Sequence, residues 1–400
     1  MPEMQDRDRG DVGVTEDRGQ RTEDRNPLKQ LIKLGQSPWY DNIERRLFKT
    51  GEFVKLINEY GMMGVTSNPT IFDKAISSSA DYDEQIKTLI ETNNDSYVIY
   101  DELAVRDIGA AADILLDTYK NTKGLDGYVS IEVLPQYAYD PDNTIEYARK
   151  IFRWLNRKNI LIKVPGTKEA LPAITQLIAE GININVTLLF SLAGYERIAK
   201  AYIEGLGRRV RGKEKLSEVT SVASVFVSRI DSRIDKMLDL LASAMESKLK
   251  QREILDLRGR AAVADSKMIY QRFKEIFFGK EFEELKARGA NIQRVLWAST
   301  STKNPNYRDV KYVEELIGPD SINTMPHQTV MGFYDHGVAK PTIENGMDQA
   351  PVLIKELKSL GIDVDAVCDN LQKEGVKAFS DSFKSLINSI DKKIKLLRKT

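Results

Sequence analysis

Residues 160–188 spell out one complete strand–helix–strand unit, and that unit limits the folds open to this chain. The run Ile160, Leu161, Ile162, Lys163, Val164 is apolar but for one lysine, and Pro165-Gly166 breaks it, so it reads as a short buried strand. Thr167 stands where it can cap a helix with Ala170, Leu171, Ile174, Leu177 and Ile178 on one face, ended by Gly181. A second strand, 182–188, follows at once, and two strands joined by one helix in so short a span pair in parallel. The alternation recurs. Strand-like segments at 64–67, 129–133, 222–226, 294–299 and 322–325, with a weaker one at 37–42, bring the count to eight. Eight strands with helical crossovers predict an α/β fold, a (β/α)8 TIM barrel, over an open doubly wound sheet. No GxGxxG follows a strand and no GxxxxGK[ST] occurs, which removes the usual signatures of a nucleotide-binding sheet. Extra helices are expected near 82–120 and 240–290, and one or two long helices at 363–397. Residues 1–26 hold almost no apolar side chains to offset their ordering entropy, and read as a disordered tail ahead of one domain, 27–400.

Composition excludes several functions. Lys+Arg and Asp+Glu both number 59, so no global field attracts nucleic acid or an anionic membrane. No apolar run approaches the length of a membrane span. The single cysteine, Cys368, rules out an internal disulfide and fits a cytoplasmic protein. With two histidines and one cysteine, a transition-metal site of the usual ligands is not expected, and no cofactor is implied. Acid–base chemistry, if present, falls to carboxylates and lysine.

Lys163 is the residue on which chemistry turns. At the carboxyl end of a buried strand its charge must be paired or given up. A free lysine, with a pKa of about 10.4, is roughly one part in a thousand neutral near pH 7.4, whereas a desolvated amine is a nucleophile for carbonyl carbon. A structural lysine, ion-paired in the core, is the equal alternative. In a barrel the active site lies at the carboxyl ends of the strands, and those positions carry Asp41, Asn68, Glu132, Lys163, Asn185, Thr187, Ser224 and Ser299, with Arg229 and Lys303 just beyond. Each has a plainer reading. Asp41 and Asn68 could cap helices, Thr187 and Ser224 could satisfy nearby backbone, and Glu132 could be a structural ion partner of Lys163. Arg229 and Lys303 could be surface charges, as Arg208, Arg209, Arg211 and Lys213 are expected to be in a loop before the strand at 222–226. Together, however, they would crowd a barrel mouth with desolvated polar atoms unless a polar ligand goes there.

In order along the chain stand Trp39-Tyr40-Asp41-Asn42, the stretch 64–70, the strand ending at Glu132, Ile162-Lys163-Val164-Pro165, the stretch 181–191, Ser224 to Arg229, and Asn323-Thr324-Met325-Pro326. On these motifs the chain resembles the transaldolases, Schiff-base enzymes of the class I aldolase type, and its first motif is similar to the longer subgroup. The resemblance implies transfer of a dihydroxyacetone unit in the pentose phosphate pathway. The donor would be sedoheptulose 7-phosphate and the acceptor glyceraldehyde 3-phosphate, giving erythrose 4-phosphate and fructose 6-phosphate.

Carried over, Lys163 looks like the Schiff-base lysine, and Glu132 with Thr187 like the pair that holds a water and moves protons. Asp41 looks like the base for the C4 hydroxyl. Asn68, Asn185 and Ser224 would hold hydroxyls of the three-carbon unit, Ser299 would be a further substrate contact, and Arg229 would hold the phosphate. Where many relatives place a second phosphate-binding arginine this chain has Ser301, and Lys303 is the candidate in its stead. A carboxylate touching Lys163 would hold the amine protonated, so Glu132 is expected to be separated from it by a water and not salt-bridged. The implied partners are sugar phosphates, with no nucleic acid or membrane, in a monomer or homodimer. The rival readings are an aldolase of the fructose 6-phosphate type and a sugar-phosphate-binding barrel without chemistry.

Overall fold

The computed structural model describes residues 26–398. Seven strands run through it: β1 (Gln36–Tyr40), β2 (Val129–Glu132), β3 (Ile160–Pro165), β4 (Ile184–Leu189), β5 (Ser221–Phe226), β6 (Arg294–Ala298) and β7 (Ser321–Met325). All neighbours are parallel, in the order β1-β7-β6-β5-β4-β3-β2. Every strand residue is buried, as expected where helices cover one face of a parallel sheet and side chains fill the other.

The segment expected to be a strand at 64–67 is shorter than a regular strand, yet it closes the ring. Val65 bridges Tyr40 on one side and Val129 on the other, both in parallel. The Tyr40 and Thr66 amides bond across one seam, to Gly64 O and Tyr40 O at 2.9 Å each. Across the other, the Val65 and Ser130 amides bond to Tyr128 O and Val65 O, also at 2.9 Å. Two local features curtail the segment. A Cβ at Gly64 would stand 2.5 Å from the Trp39 indole, so the chain approaches β1 too closely for a side chain there. Asn68-Pro69 then turns at once into the helix Pro69–Ser78, with proline in its first turn.

The cap read at Thr167 falls one turn short of its helix, while Ser191 caps the next. Ser191 accepts from the Gly194 amide at 3.1 Å and opens the helix Leu192–Arg211. Thr167 accepts from the Ala170 amide at 3.2 Å, a turn ahead of the helix Leu171–Ala179. Arg208, Arg209 and Arg211 lie in the last turn of Leu192–Arg211 and not in a loop. Arg209 is buried, its guanidinium donating to the carbonyls of Ala179 and Lys215, so it is no surface charge. The expected tail lies outside the described residues save for Asn26, which caps the helix Pro27–Lys33 and donates to Glu59 O at 2.8 Å.

A buried charge cluster fills the amino-terminal end of the barrel. Arg294, first residue of β6, lies 3.0 Å from Asp126, and Ser37 and Trp39 of β1 donate to the same carboxylate at 2.7 and 3.0 Å. At the opposite end, the single helix Val364–Leu397 packs against Pro69–Ser78, Ser228–Ser243 and β4. Among the described residues no helix is long and apolar enough to cross a membrane.

Candidate active site

Register brings three of the expected residues into one row. Glu132 pairs with Lys163 across β2 and β3, and Lys163 with Asn185 across β3 and β4. Partners in a parallel ladder point to the same face, here the barrel interior. Above them opens a cavity of about 550 Å³ whose wall includes Asp41, Asn68, Lys163, Thr187, Ser224, Arg229, Ser299 and Lys303. Eight of the ten residues singled out from the sequence therefore face one space. Glu132 and Asn185 lie behind that wall, both buried.

Lys163 is 5% exposed, too little for water to solvate an ammonium group. Its Nζ donates to the Ser67 carbonyl at 2.9 Å. Glu132 Oε2 stands 3.9 Å away, which makes an ion pair by distance but leaves no hydrogen bond between them. The sequence reading expected a water between the two groups and no ion pair. Direct pairing of the two residues across β2 and β3 leaves no room for that. Burial pushes the Glu132 carboxyl up from 4.5 to about 7, against the pull of Lys163 and with a push from Asp41. A carboxyl raised in this way can give and take a proton closer to neutral pH than a free glutamate does. Neither Glu132 oxygen has a hydrogen-bond partner among the described residues, and Thr187 Oγ1 has none either. Buried polar atoms left open in this way are costly unless a ligand or water meets them.

Asp41 follows β1 and is partly open to the cavity. Loss of water raises its pKa first, while Lys163 and a hydrogen bond from Thr66 pull it back. Thr66 Oγ1 donates to Asp41 Oδ1 at 2.6 Å and lies 2.7 Å from Thr324 Oγ1. With the Thr66 proton committed to Asp41, Thr324 is the donor in that second contact. Thr66, Thr324 and the Ser67 carbonyl were not singled out as site residues from the sequence. The signal was the ring closure, which sets the 63–66 segment against β1 and β7 against β1's other edge.

The expected substrate contacts Asn68, Asn185 and Ser299 are each held by further bonds. Asn68 Oδ1 caps the helix Pro69–Ser78 through the Ile71 amide at 3.1 Å, so the capping reading holds for its oxygen while the side chain also lines the cavity. Asn185 donates to Ser130 Oγ at 3.0 Å and accepts from Ser224 Oγ at 2.6 Å, which fixes the Ser224 hydroxyl at the cavity wall and leaves its second N–H uncommitted by these two bonds. Ser299 sits in the left-handed region at φ 56° with its hydroxyl 3.1 Å from that of Ser228.

Positive charge collects past β5 and β6. Arg229 opens the helix Ser228–Ser243, with its guanidinium 5.5 Å from the Phe226 ring centre. Burial lowers its pKa. Glu374, whose charge partly offsets this, is bonded to Arg233 at 2.8 Å. Lys303 donates to Ser301 Oγ at 2.8 Å, and burial followed by repulsion from Arg229 lowers its pKa. Two cations repelling each other at one end of a cavity, with no carboxylate bonded to either among the described residues, make a place for an anion. Among the described residues no three His, Cys, Asp or Glu side chains are grouped to hold a metal ion.

Residues 38–390 match the transaldolase/fructose-6-phosphate aldolase family. A protein named transaldolase 2 from Nostoc sp. is 44% identical over 375 residues, covering 93% of this chain and 98% of its own length. Transaldolases of Trichodesmium erythraeum and Thiobacillus denitrificans are each 43% identical, over 93% and 91% of this chain and 98% and 99% of their own. With the family spanning nearly the whole described fold and relatives alike from end to end, this chain belongs to the transaldolase/fructose-6-phosphate aldolase family.

Proposed function

We propose that this chain, with residues 27–400 working as one domain, is a Schiff-base transaldolase. It moves a dihydroxyacetone unit from sedoheptulose 7-phosphate to glyceraldehyde 3-phosphate, in the cytoplasm and the pentose phosphate pathway. The observation that carries the reading is the pairing, in one cavity, of a buried lysine beside an acid poised near neutrality with a separate cationic end.

Lys163, as the free amine, attacks the C2 ketone of the donor and forms a carbinolamine. Glu132, acting through Thr187 and a water between them, supplies the proton with which the C2 hydroxyl leaves as water, giving the protonated imine. Asp41, held by Thr66, takes the proton of the C4 hydroxyl. The C3–C4 bond breaks, its electron pair moves into the imine system, and the aldose phosphate leaves. The enamine on Lys163 then attacks the carbonyl carbon of the acceptor, and Asp41 returns its proton to the new hydroxyl. Hydrolysis of the imine releases the ketose product and restores Lys163. Arg229 and Lys303 hold the phosphate, and Asn68, Asn185, Ser224 and Ser299 contact the three-carbon unit, Asn185 also fixing the Ser224 hydroxyl.

The test measures free dihydroxyacetone from fructose 6-phosphate with and without an acceptor aldose phosphate. A transferase gives new ketose phosphate only with the acceptor and little free dihydroxyacetone in either case. Steady release of free dihydroxyacetone without acceptor would make the chain an aldolase, and no turnover in either case a binding protein.

A further inference from the structure

The C-terminal helix lays one stripe of side chains against the carboxyl end of β4. Cys368, Gln372, Gly375 and Phe379 fall at successive intervals of four, three and four residues, the spacing of one helical face. Cys368 Sγ donates to Phe190 O at 3.4 Å, a Cβ on Gly375 would come within 2.9 Å of the Leu188 side chain, and Phe379 lines the cavity.

Gln372 makes the most telling contact. Its amide nitrogen donates to Gly166 O and to Leu188 O, both at 3.0 Å. A side-chain amide carries two N–H bonds, so both are used. The two carbonyls belong to the chain just after Lys163 and just after Thr187. β4 departs from a regular ladder there, with a register shift between Val186 and Leu189 and Leu188 at φ 58°. A leucine in that region is strained and persists only where surroundings hold it. The shift lies on the β5 side; toward β3 the ladder runs on regularly, the Gly166 amide donating to Thr187 O at 2.7 Å, and the Leu188 carbonyl is met by the helix.

From this we infer that Gln372 is a positioning residue. It clamps the irregular end of β4 so that Thr187 presents its hydroxyl to the carbinolamine, and it ties that segment to the turn after Lys163. The inference rests on the reading of Lys163 and Thr187 given above. It extends catalysis to a helix about 200 residues further along the chain.

The experiment is a double-mutant cycle on the rate of imine formation. Protein is mixed with fructose 6-phosphate, quenched with borohydride at increasing times, and the reduced adduct on Lys163 is counted per folded molecule. Gln372→Met keeps the length of the side chain and removes both donors. It is expected to slow adduct formation about ten- to a hundredfold, the scale for a small misplacement of a reacting group. Its KM for fructose 6-phosphate should change less than twofold. Thr187→Ala should be slow as well, and the double variant no slower than Thr187→Ala alone, because Gln372 acts through Thr187. Gln372→Glu should regain part of the rate as pH falls and its carboxyl becomes a donor. Multiplying effects in the double variant, or an unchanged rate in Gln372→Met, would overturn the inference. An absence of any adduct in the parent protein would instead overturn the Schiff-base reading on which it rests.

Discussion

At the amino-terminal end of the barrel, Arg294 and Asp126 sit buried at 3.0 Å, and Ser37 and Trp39 complete the carboxylate's partners. At the carboxyl-terminal end, Lys163 and Glu132 sit equally buried at 3.9 Å, and both Glu132 oxygens are without a partner among the described residues. Open atoms occur at the first end too, but Gln36, Asn159 and Gln293 are each bonded through their other amide atom. The same kinds of side chain thus stabilise one end and leave the other electrostatically unsettled. Backbone strain does not divide in this way: Leu188 and Ser299 take up positive φ at the carboxyl ends of strands, and Asp320 does so at φ 55° immediately before β7. The difference teaches that unfilled polar capacity, more than the presence of charge, marks the working end of this fold.

The largest effect that could break the comparison is at Lys163. Lys163→Ala should lower turnover by at least about ten-thousandfold, as for other nucleophile deletions, while the melting temperature stays the same or rises. Activity within a hundredfold of the parent would remove the lysine from the chemistry. Asp126→Ala tests the other end, since it strands a buried guanidinium. It should cost about 3–5 kcal/mol in a urea titration with kcat per folded molecule unchanged. If kcat fell in proportion, the two ends would not be separable.

Glu132 sharpens the contrast through pH. Its folded-state pKa is raised, so its contribution is fully present below about pH 4.5 and is lost as pH rises through about 7. Glu132→Gln should abolish that loss and stabilise the protein at pH 8 by roughly 3 kcal/mol, while turnover falls sharply. Urea titrations of both proteins at pH 5 and pH 8 check it, and equal differences at the two pH values would contradict it. The smallest effect is at Arg229. Arg229→Ala should raise KM for phosphorylated donors about ten- to a hundredfold with kcat less affected, the scale of a lost charged hydrogen bond. An unchanged KM would take the arginine out of the phosphate site.

Much of this was legible because a barrel strand announces its functional end. The break at Pro165-Gly166 and the polar residues closing otherwise apolar runs located Lys163, Glu132 and Thr187 without any knowledge of packing. What stayed hidden depends on neighbours distant in sequence. The bonds of Asn185 to Ser130 and Ser224 on adjoining strands are a matter of register and carry no local signal. The Thr66–Thr324 support of Asp41 needs the ring to close, 258 residues apart. The acceptor for Lys163 is a backbone carbonyl, which carries no side-chain signature. Arg209 misled because a basic run reads as solvated, whereas one of its guanidinium groups is turned inward to backbone carbonyls.

The most direct measurement is borohydride reduction in the presence of fructose 6-phosphate, followed by mass spectrometry of the digested protein. The account predicts a reduced sugar adduct on the peptide containing Lys163, absent without substrate and absent in Lys163→Ala. A folded protein that binds the sugar but yields no adduct, or yields one on another lysine, would contradict it.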